Sequence, residues 1–297
     1  MTIRLGTLNH IYGIGYKISP IGCDMRAGAL RTLLLEKYVE KMLLHTNSII
    51  NLFQEIDHDK QEYELFDISL IASAARNIME TANMYCYFSE RKITQDELEF
   101  RHRIAALNEY RNKHSILEKI GVKLTNSWAS HIHKTSIFYT HQTLERNSFF
   151  LSLNDKEKQR LLSGKNPTHK ISSPGILPQN LESGIYNLLS NSVHSLMLGM
   201  NSVSLNSSLA FNGLFRPLCV LEISIEISIL YFSHVLIDYL NIRKRLYKKI
   251  SKTELQFLKN LHTTFSIEEW VKTIQDFFEE KEIDKIFSSS RESRPST

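Results

Sequence analysis

The chain has 297 residues, of which only 11 are glycine and 6 are proline, and its formal net charge of +4 neither requires nor excludes a nucleic-acid partner. With 42% hydrophobic and 23% charged residues it has an ordinary globular composition, which excludes a collagen-like or broadly disordered protein. Because tight β-turns need residues that tolerate positive φ, the scarcity of glycine also argues against an all-β fold.

Apolar residues recur at helical spacing along most of the chain, and long stretches contain no helix breaker. Neither glycine nor proline occurs between Gly28 and Gly121, or between Pro217 and Pro295. We therefore predict an all-α bundle of about seven to nine helices around one principal core. The predicted helices cover residues 24–56, 67–88, 94–121, 127–151, 155–162, 181–198 and 214–245.

The expected domain organisation follows from the helix breakers that remain. Residues 1–23 hold four glycines and a proline and are expected to be irregular, and residues 163–184, with three prolines, form the clearest loop. The main helical bundle is expected over residues 24–246. A helical pair at 250–285 is expected to dock on that bundle, and residues 288–297 are expected to form a disordered tail.

Four polar residues stand three positions before a glutamate, which is the capping-box pattern at the start of a helix. The four pairs are Thr94 and Glu97, Asn154 and Glu157, Ser251 and Glu254, and Ser266 and Glu269. Each pair predicts a helix that begins directly after its first member, and together they support the all-α prediction.

The stretch 217–240 is the most membrane-like part of the sequence. It contains Glu222, Glu226, His234 and Asp238, and carboxylates are costly at the centre of a bilayer. We therefore predict a buried core helix, with Glu222 and Glu226 pairing with a buried arginine such as Arg76. No apolar signal-peptide segment is found near the N-terminus, so we expect a cytoplasmic protein with no membrane partner.

Neither the cysteines nor the histidines are spaced as a metal site. The three cysteines are far apart and form no C-x-x-C pair, which favours buried thiols in a reducing compartment. His131, His133 and His141 lie on a predicted helix at spacings that do not bring three ligands together. We therefore expect no metal and no cofactor.

Arg76 and Glu80 lie one turn apart on the predicted helix at 67–88, on a polar stripe beside a strongly apolar face. Such a pair is either a solvated ion pair on the surface or an inward-facing pair in a site. On the predicted helix after the loop, Tyr186, Ser190 and His194 follow one another at intervals of one turn. A histidine beside a serine hydroxyl can act as a general base near neutral pH, or it can be a structural histidine satisfied by that hydroxyl.

The two segments ARNIMETANMYCYF and YNLLSNSVH together resemble a widespread, mainly bacterial helical family of unknown function. That family pairs an R-x-x-x-E helix with a later Y-x-x-L-S-x-x-x-H helix. The matching positions here are Arg76, Glu80, Tyr186, Leu189, Ser190 and His194. The resemblance spans about residues 25–240 and implies a helical bundle with no established reaction.

That family is distantly similar to the HEPN (higher eukaryote and prokaryote nucleotide-binding) domains, many of which are dimeric RNases with an R-x(4–6)-H motif. Thr81 stands where the helix of Arg76 would carry the histidine of that motif. A stretch that matches R-x(4–6)-H literally runs from Arg4 to His10, but it falls in the segment expected to be irregular. A variant of the mechanism remains, in which His194 activates a 2′-hydroxyl and Arg76 stabilises the charge of the phosphorane.

A basic segment between Asn241 and Thr253 holds six lysines and arginines, among them Arg243, Lys244 and Arg245. These cations are either phosphate contacts for RNA or the solvated end of a helix, where they offset its dipole.

Two hypotheses from different classes follow from these motifs. The first is a HEPN-like, metal-independent RNase or RNA-binding effector of the toxin or phage-defence type. Its catalytic residues would be Arg76, Glu80, Ser190 and His194, with Tyr186, Arg243, Lys244 and Arg245 binding the substrate. The second is a non-catalytic helical module for a homodimer or a helical protein partner, in which the same polar residues are structural.

Overall fold

The computed structural model describes residues 2–24, 26–54, 68–122, 128–169, 175–193, 217–261, 263 and 265–279. These residues contain twelve α-helices, one 3-10 helix and no β-strand, which confirms the predicted all-α class. The α-helices are α1 (Thr2–Ile18), α2 (Pro20–Cys23), α3 (Leu30–Gln54), α4 (Ile68–Ser89), α5 (Gln95–Lys119), α6 (Trp128–Glu145), α7 (Ser148–Leu151), α8 (Asp155–Leu162), α9 (Gln179–Val193), α10 (Pro217–Ile242), α11 (Lys252–Leu261) and α12 (Phe265–Glu279). The 3-10 helix covers Lys244–Lys249.

The chain divides into two compact units. The first unit consists of residues 1–86 and 174–297, and the second of residues 87–173. Helices α5 to α8 belong to the second unit, as do the last three residues of α4. The predicted limits of the main bundle and of the C-terminal pair stay a prediction, and the predicted tail at 288–297 lies outside the described residues.

The expectation of an irregular segment at residues 1–23 is wrong, because residues 2–18 form helix α1. Leu8, Ile11, Ile14 and Ile18 recur at spacings of three and four residues, and all four are buried. Gly15 is needed for close packing, since a Cβ atom there would lie 2.8 Å from Cζ of Phe232. Gly15 therefore permits a close helix contact in the first unit, and the glycines of α1 do not break the helix.

Helix α10 is the core helix of the first unit, where it packs against α1, α3, α9, α11 and α12. It is long and apolar enough to cross a membrane by length and composition, yet 83% of that apolar window is buried inside the protein. The hydroxyls of Ser224 and Ser228 are satisfied within the helix, because they donate to the carbonyls of Val220 and Ser224 at 2.6 and 2.7 Å. This geometry agrees with the predicted buried core helix.

The second unit has an apolar core of its own. The buried side chains that form it are Phe100, Ile104, Leu144, Phe150 and Leu161. Arg101 is 1% exposed beside this core, where it donates to the Tyr87 carbonyl and to the carboxylates of Glu90 and Glu97. Its guanidinium also lies 4.3 Å from the centre of the Tyr87 ring. A fully buried cation is tolerated here because its donors are satisfied.

Three of the four predicted capping pairs are confirmed. The side chains of Thr94, Asn154 and Ser251 accept hydrogen bonds from the backbone N–H groups three residues later. Ser266 is the exception, since it lies inside α12, which begins one residue earlier. The predicted helix at 127–151 is interrupted at Asn147, because its side chain caps the short helix α7.

Candidate functional site

The two sequence motifs meet as a ladder of polar pairs between α4 and α9. Arg76 Nη1 donates to Ser190 Oγ at 3.4 Å, and the Tyr186 hydroxyl donates to Glu80 Oε1 at 2.7 Å. One turn further on, Asn83 Nδ2 donates to Glu182 Oε1, also at 2.7 Å. Residue numbers rise along α4 as they fall along α9, so the helices are antiparallel at this seam.

Arg76 is held on three sides within this α4–α9 ladder. Its Nε atom lies 3.2 Å from Glu80 Oε1, and its guanidinium lies 5.6 Å from the centre of the Tyr186 ring. The side chains of Arg76 and Glu80 are 25% and 43% exposed, so solvent reaches the ladder. Within the described residues Nη1 donates to Ser190, while Nε is buried and makes no hydrogen bond despite its closeness to Glu80.

The protonation of Tyr186 is fixed by its partner. The hydrogen bond to Glu80, together with burial and the negative charge of that carboxylate, raises the pKa of Tyr186. The phenol is therefore a donor at neutral pH, and it orients Glu80 toward Arg76.

Glu182 is a member of the ladder that the motifs did not identify. Its Oε1 atom accepts hydrogen bonds from Asn83 and, at 2.8 Å, from the hydroxyl of Tyr231 on α10. Burial and the neighbouring Glu182 charge raise the pKa of Tyr231. The signal for Glu182 was present in the sequence, because it precedes Tyr186 by one turn on the same face of α9.

His194 lies outside the described residues, so its distance to Arg76 is not part of this geometry. The matched polar residues that the structure describes form a chain of contacts: Ser190 contacts Arg76, and both Arg76 and Tyr186 contact Glu80. The matched Leu189 is buried. The observed cluster can bind an anion and position hydroxyl groups, and the general base stays a prediction.

Not every cation of the basic segment between Asn241 and Thr253 is exposed to a ligand. Arg243, predicted to bind substrate, instead pairs with Glu36, whose side chain is 2% exposed, while the Arg243 side chain is 15% exposed. Because a buried carboxylate is costly without a positively charged partner, the Arg243 guanidinium lies against Glu36 instead of being exposed to solvent. Lys244 and Arg245 are exposed on the 3-10 helix.

Glu226 pairs with an arginine, but that arginine is Arg4, whose side chain is 35% exposed, and not a buried residue such as Arg76. Glu226 accepts two hydrogen bonds from Arg4 of α1 and not from Arg76, while Glu222 is exposed. Arg4 and His10 do lie on a helix, but six residues place them about 120° apart around its axis. The His10 ring packs on the Phe257 ring, with their centres 4.6 Å apart.

Three histidines lie on helix α6, and the structure describes the side chains of two of them. His131 is exposed, the His133 side chain is outside the described residues, and His141 is half-buried. Among the side chains that the structure describes, no group of three or more histidine, cysteine or acidic residues is arranged to hold a metal.

Comparison of the chain with protein-family models, with curated proteins and with solved structures found no match.

Proposed function

We propose that this chain acts on RNA as a HEPN-like, metal-independent endoribonuclease of the toxin or phage-defence type. The observation that carries the proposal is the contact between Arg76 of one motif and Ser190 of the other. Residues that share a motif pattern but lie 114 positions apart are here joined in one partly exposed polar cluster. A cation held in place beside hydroxyl groups is suited to the charge of a phosphodiester.

The proposed reaction needs no metal. His194 takes the proton of a ribose 2′-hydroxyl, and the 2′-oxygen attacks the adjacent phosphorus. Arg76 stabilises the negative charge of the phosphorane through its remaining N–H donors. The bond from phosphorus to the 5′-oxygen then breaks, and the leaving oxygen takes a proton from water. The hydroxide that forms takes the proton held by His194, and the products are a 2′,3′-cyclic phosphate and a 5′-hydroxyl.

Glu80, Tyr186 and Ser190 are positioning residues in this proposal. Glu80 and Ser190 hold two edges of the Arg76 guanidinium, and Tyr186 supports both Glu80 and the face of the guanidinium. Lys244 and Arg245 supply exposed cations for the RNA backbone outside the cluster.

A non-catalytic interaction module is the second candidate, and one observation favours it. Among the described residues, the contacts of Arg76 are to Glu80, Tyr186 and Ser190. A polar network between two helices can fix their register without any reaction. The partner would then be a helical protein or a second copy of this chain.

The two candidates are separated by incubating the purified protein with total RNA, alongside the variants His194→Ala and Arg76→Ala. For the nuclease we expect cleavage by the wild type, and loss of cleavage in His194→Ala with an unchanged melting temperature. Cleavage that persists in His194→Ala contradicts the nuclease. For the module we expect no cleavage by any form and a lower melting temperature in Arg76→Ala.

A further inference from the structure

The second unit carries a groove that the α4–α9 ladder does not use. We call it the α5–α6 groove, and it consists of two adjoining hollows of about 550 and 500 Å3 that share His114 and Ile137. Lys134, Phe138 and His141 line the larger hollow. The side chains that line the smaller one include Arg111, Ser163 and Lys165. Each hollow has the volume of a small-ligand site.

The smaller hollow, which carries Arg111 and Lys165, is held in a defined shape. Gly164 has a φ of +66°, and a Cβ atom there would lie 2.2 Å from Cδ of Arg111. The stem of Arg111 therefore passes directly against the backbone of Gly164. Asn108 Nδ2 donates to the carbonyls of Gly164 and Lys165 at 2.8 and 3.3 Å, which fixes the loop that carries Lys165. The backbone of this loop is therefore ordered before an anion binds beside it.

The larger hollow has the features of a stacking surface. Phe138 is 57% exposed, and its ring contacts the 60% exposed ring of Tyr139 with centres 5.9 Å apart. Beside it, His141 Nε2 is buried and has no hydrogen-bond partner among the described residues. Burial and the charge of Arg111 lower the pKa of His141, which favours its neutral form.

The charges of the groove favour an anion. Arg111, Lys134 and Lys165 are exposed, and two carboxylates, Glu118 and Glu145, oppose them. His114 Nδ1 lies 3.3 Å from Glu118 Oε2, so this carboxylate has a partner within the groove.

We infer that the α5–α6 groove binds single-stranded RNA, with a base on Phe138 and the flanking phosphates on Arg111, Lys134 and Lys165. An exposed aromatic ring beside fixed cations is how single-stranded nucleic acids are held, because every base has a face that stacks and every nucleotide carries a phosphate. The identity of the ligand as RNA rests on the proposed function, whereas the location of the groove does not.

The test is the affinity of the full chain for a short fluorescent oligouridine, measured by anisotropy over a series of salt concentrations. We expect Phe138→Ala to weaken binding about tenfold, the effect of removing one stacked base. Lys134→Ala should lower the slope of log affinity against log salt by about 0.7, the share of one phosphate contact on a single strand. The matched controls are Leu151→Ala, which removes another exposed apolar side chain, and Lys156→Ala on α8.

The outcomes separate the groove from the proposed nuclease. Weaker binding by Phe138→Ala and Lys134→Ala, with both controls unchanged, supports the groove. Tight binding by the wild type and equally by both variants overturns the groove and leaves the nuclease standing. If the wild type does not bind the oligonucleotide, the groove is overturned, while cleavage of total RNA still decides the nuclease. A dimer in sedimentation that Phe138→Ala converts to a monomer would assign the groove to a second copy and also overturn the inference.

Discussion

Arg76 on α4 donates a hydrogen bond to the hydroxyl of Ser190 on α9, across 114 residues of sequence. The next pair along the seam, Glu80 and Tyr186, repeats this contact one turn away in the antiparallel direction. The two motifs are therefore complementary halves of one helix interface. This explains why an R-x-x-x-E spacing is paired with a Y-x-x-L-S spacing, since both place polar groups once per turn.

We expect Tyr186→Phe to lower the free energy of unfolding by about 1 kcal/mol, because it removes the donor to a charged but partly exposed acceptor, Glu80. The measurement is urea unfolding of the full chain. The control is Tyr247→Phe, which removes an exposed hydrogen bond to Asn241 and should change stability by only a few tenths of a kcal/mol. Equal effects of the two changes would mean that the ladder adds no stability beyond a surface contact.

Two glycines of α1 should respond oppositely to alanine. Gly15→Ala places a Cβ atom 2.8 Å from Phe232 and 3.1 Å from Leu43, and overpacking of this kind costs about 1–3 kcal/mol. Gly13→Ala meets no atom within 4 Å and should stabilise the helix by up to about 1 kcal/mol. Thermal unfolding of both variants tests this, and stabilisation by Gly15→Ala would show that α1 does not pack this closely on α10.

Arg101 should be among the most costly side chains of the second unit to remove. Arg101→Ala leaves Glu90 and Glu97 facing each other without their shared cation, and breaking a buried pair costs about 3–5 kcal/mol. The control is Arg103→Ala on the same helix, whose 42% exposed side chain pairs with Glu99, and it should cost less than about 1 kcal/mol. Chemical unfolding measures both, and a loss below 1 kcal/mol for Arg101→Ala would contradict the buried network.

His141 should make stability depend on pH below about its ordinary pKa of 6.5. Its folded pKa is lowered by burial and by Arg111, so the unfolded chain binds more protons than the folded one in that window. This contribution is fully present above pH 6.5 and is lost as the pH falls toward the folded pKa. We expect His141→Gln to flatten the melting temperature against pH in this range.

A second measurement isolates the cause of that shift. The titration of His141 followed by NMR should give a pKa below 6.5 in the wild type, and a higher one in Arg111→Met, which removes the nearby positive charge. A His141 pKa at or above 6.5 in the wild type would contradict the buried placement of its Nε2 atom.

The helical class and many helix limits could be predicted from the sequence, because they depend on local chemistry. Asp155–Leu162 begins after the capping Asn154 as its sequence predicts, and the start of α5 follows Thr94 in the same way. Such starts are fixed by hydrogen bonds between residues three positions apart. At α1 the glycines have the pattern of helix breakers, yet the segment is helical and Gly15 lies close to Phe232 of a distant helix.

By itself, the sequence determined which residues share a helix face: Arg76 with Glu80, and Tyr186 with Ser190. Only the tertiary structure decided which faces meet. It joined these two faces, gave Glu226 to Arg4, buried Arg243 against Glu36, and placed Arg111 beside Gly164 and His141. Helical periodicity sets the direction of a side chain about its own axis, whereas the partner of a charge depends on which cation can reach a carboxylate once burial has removed its water.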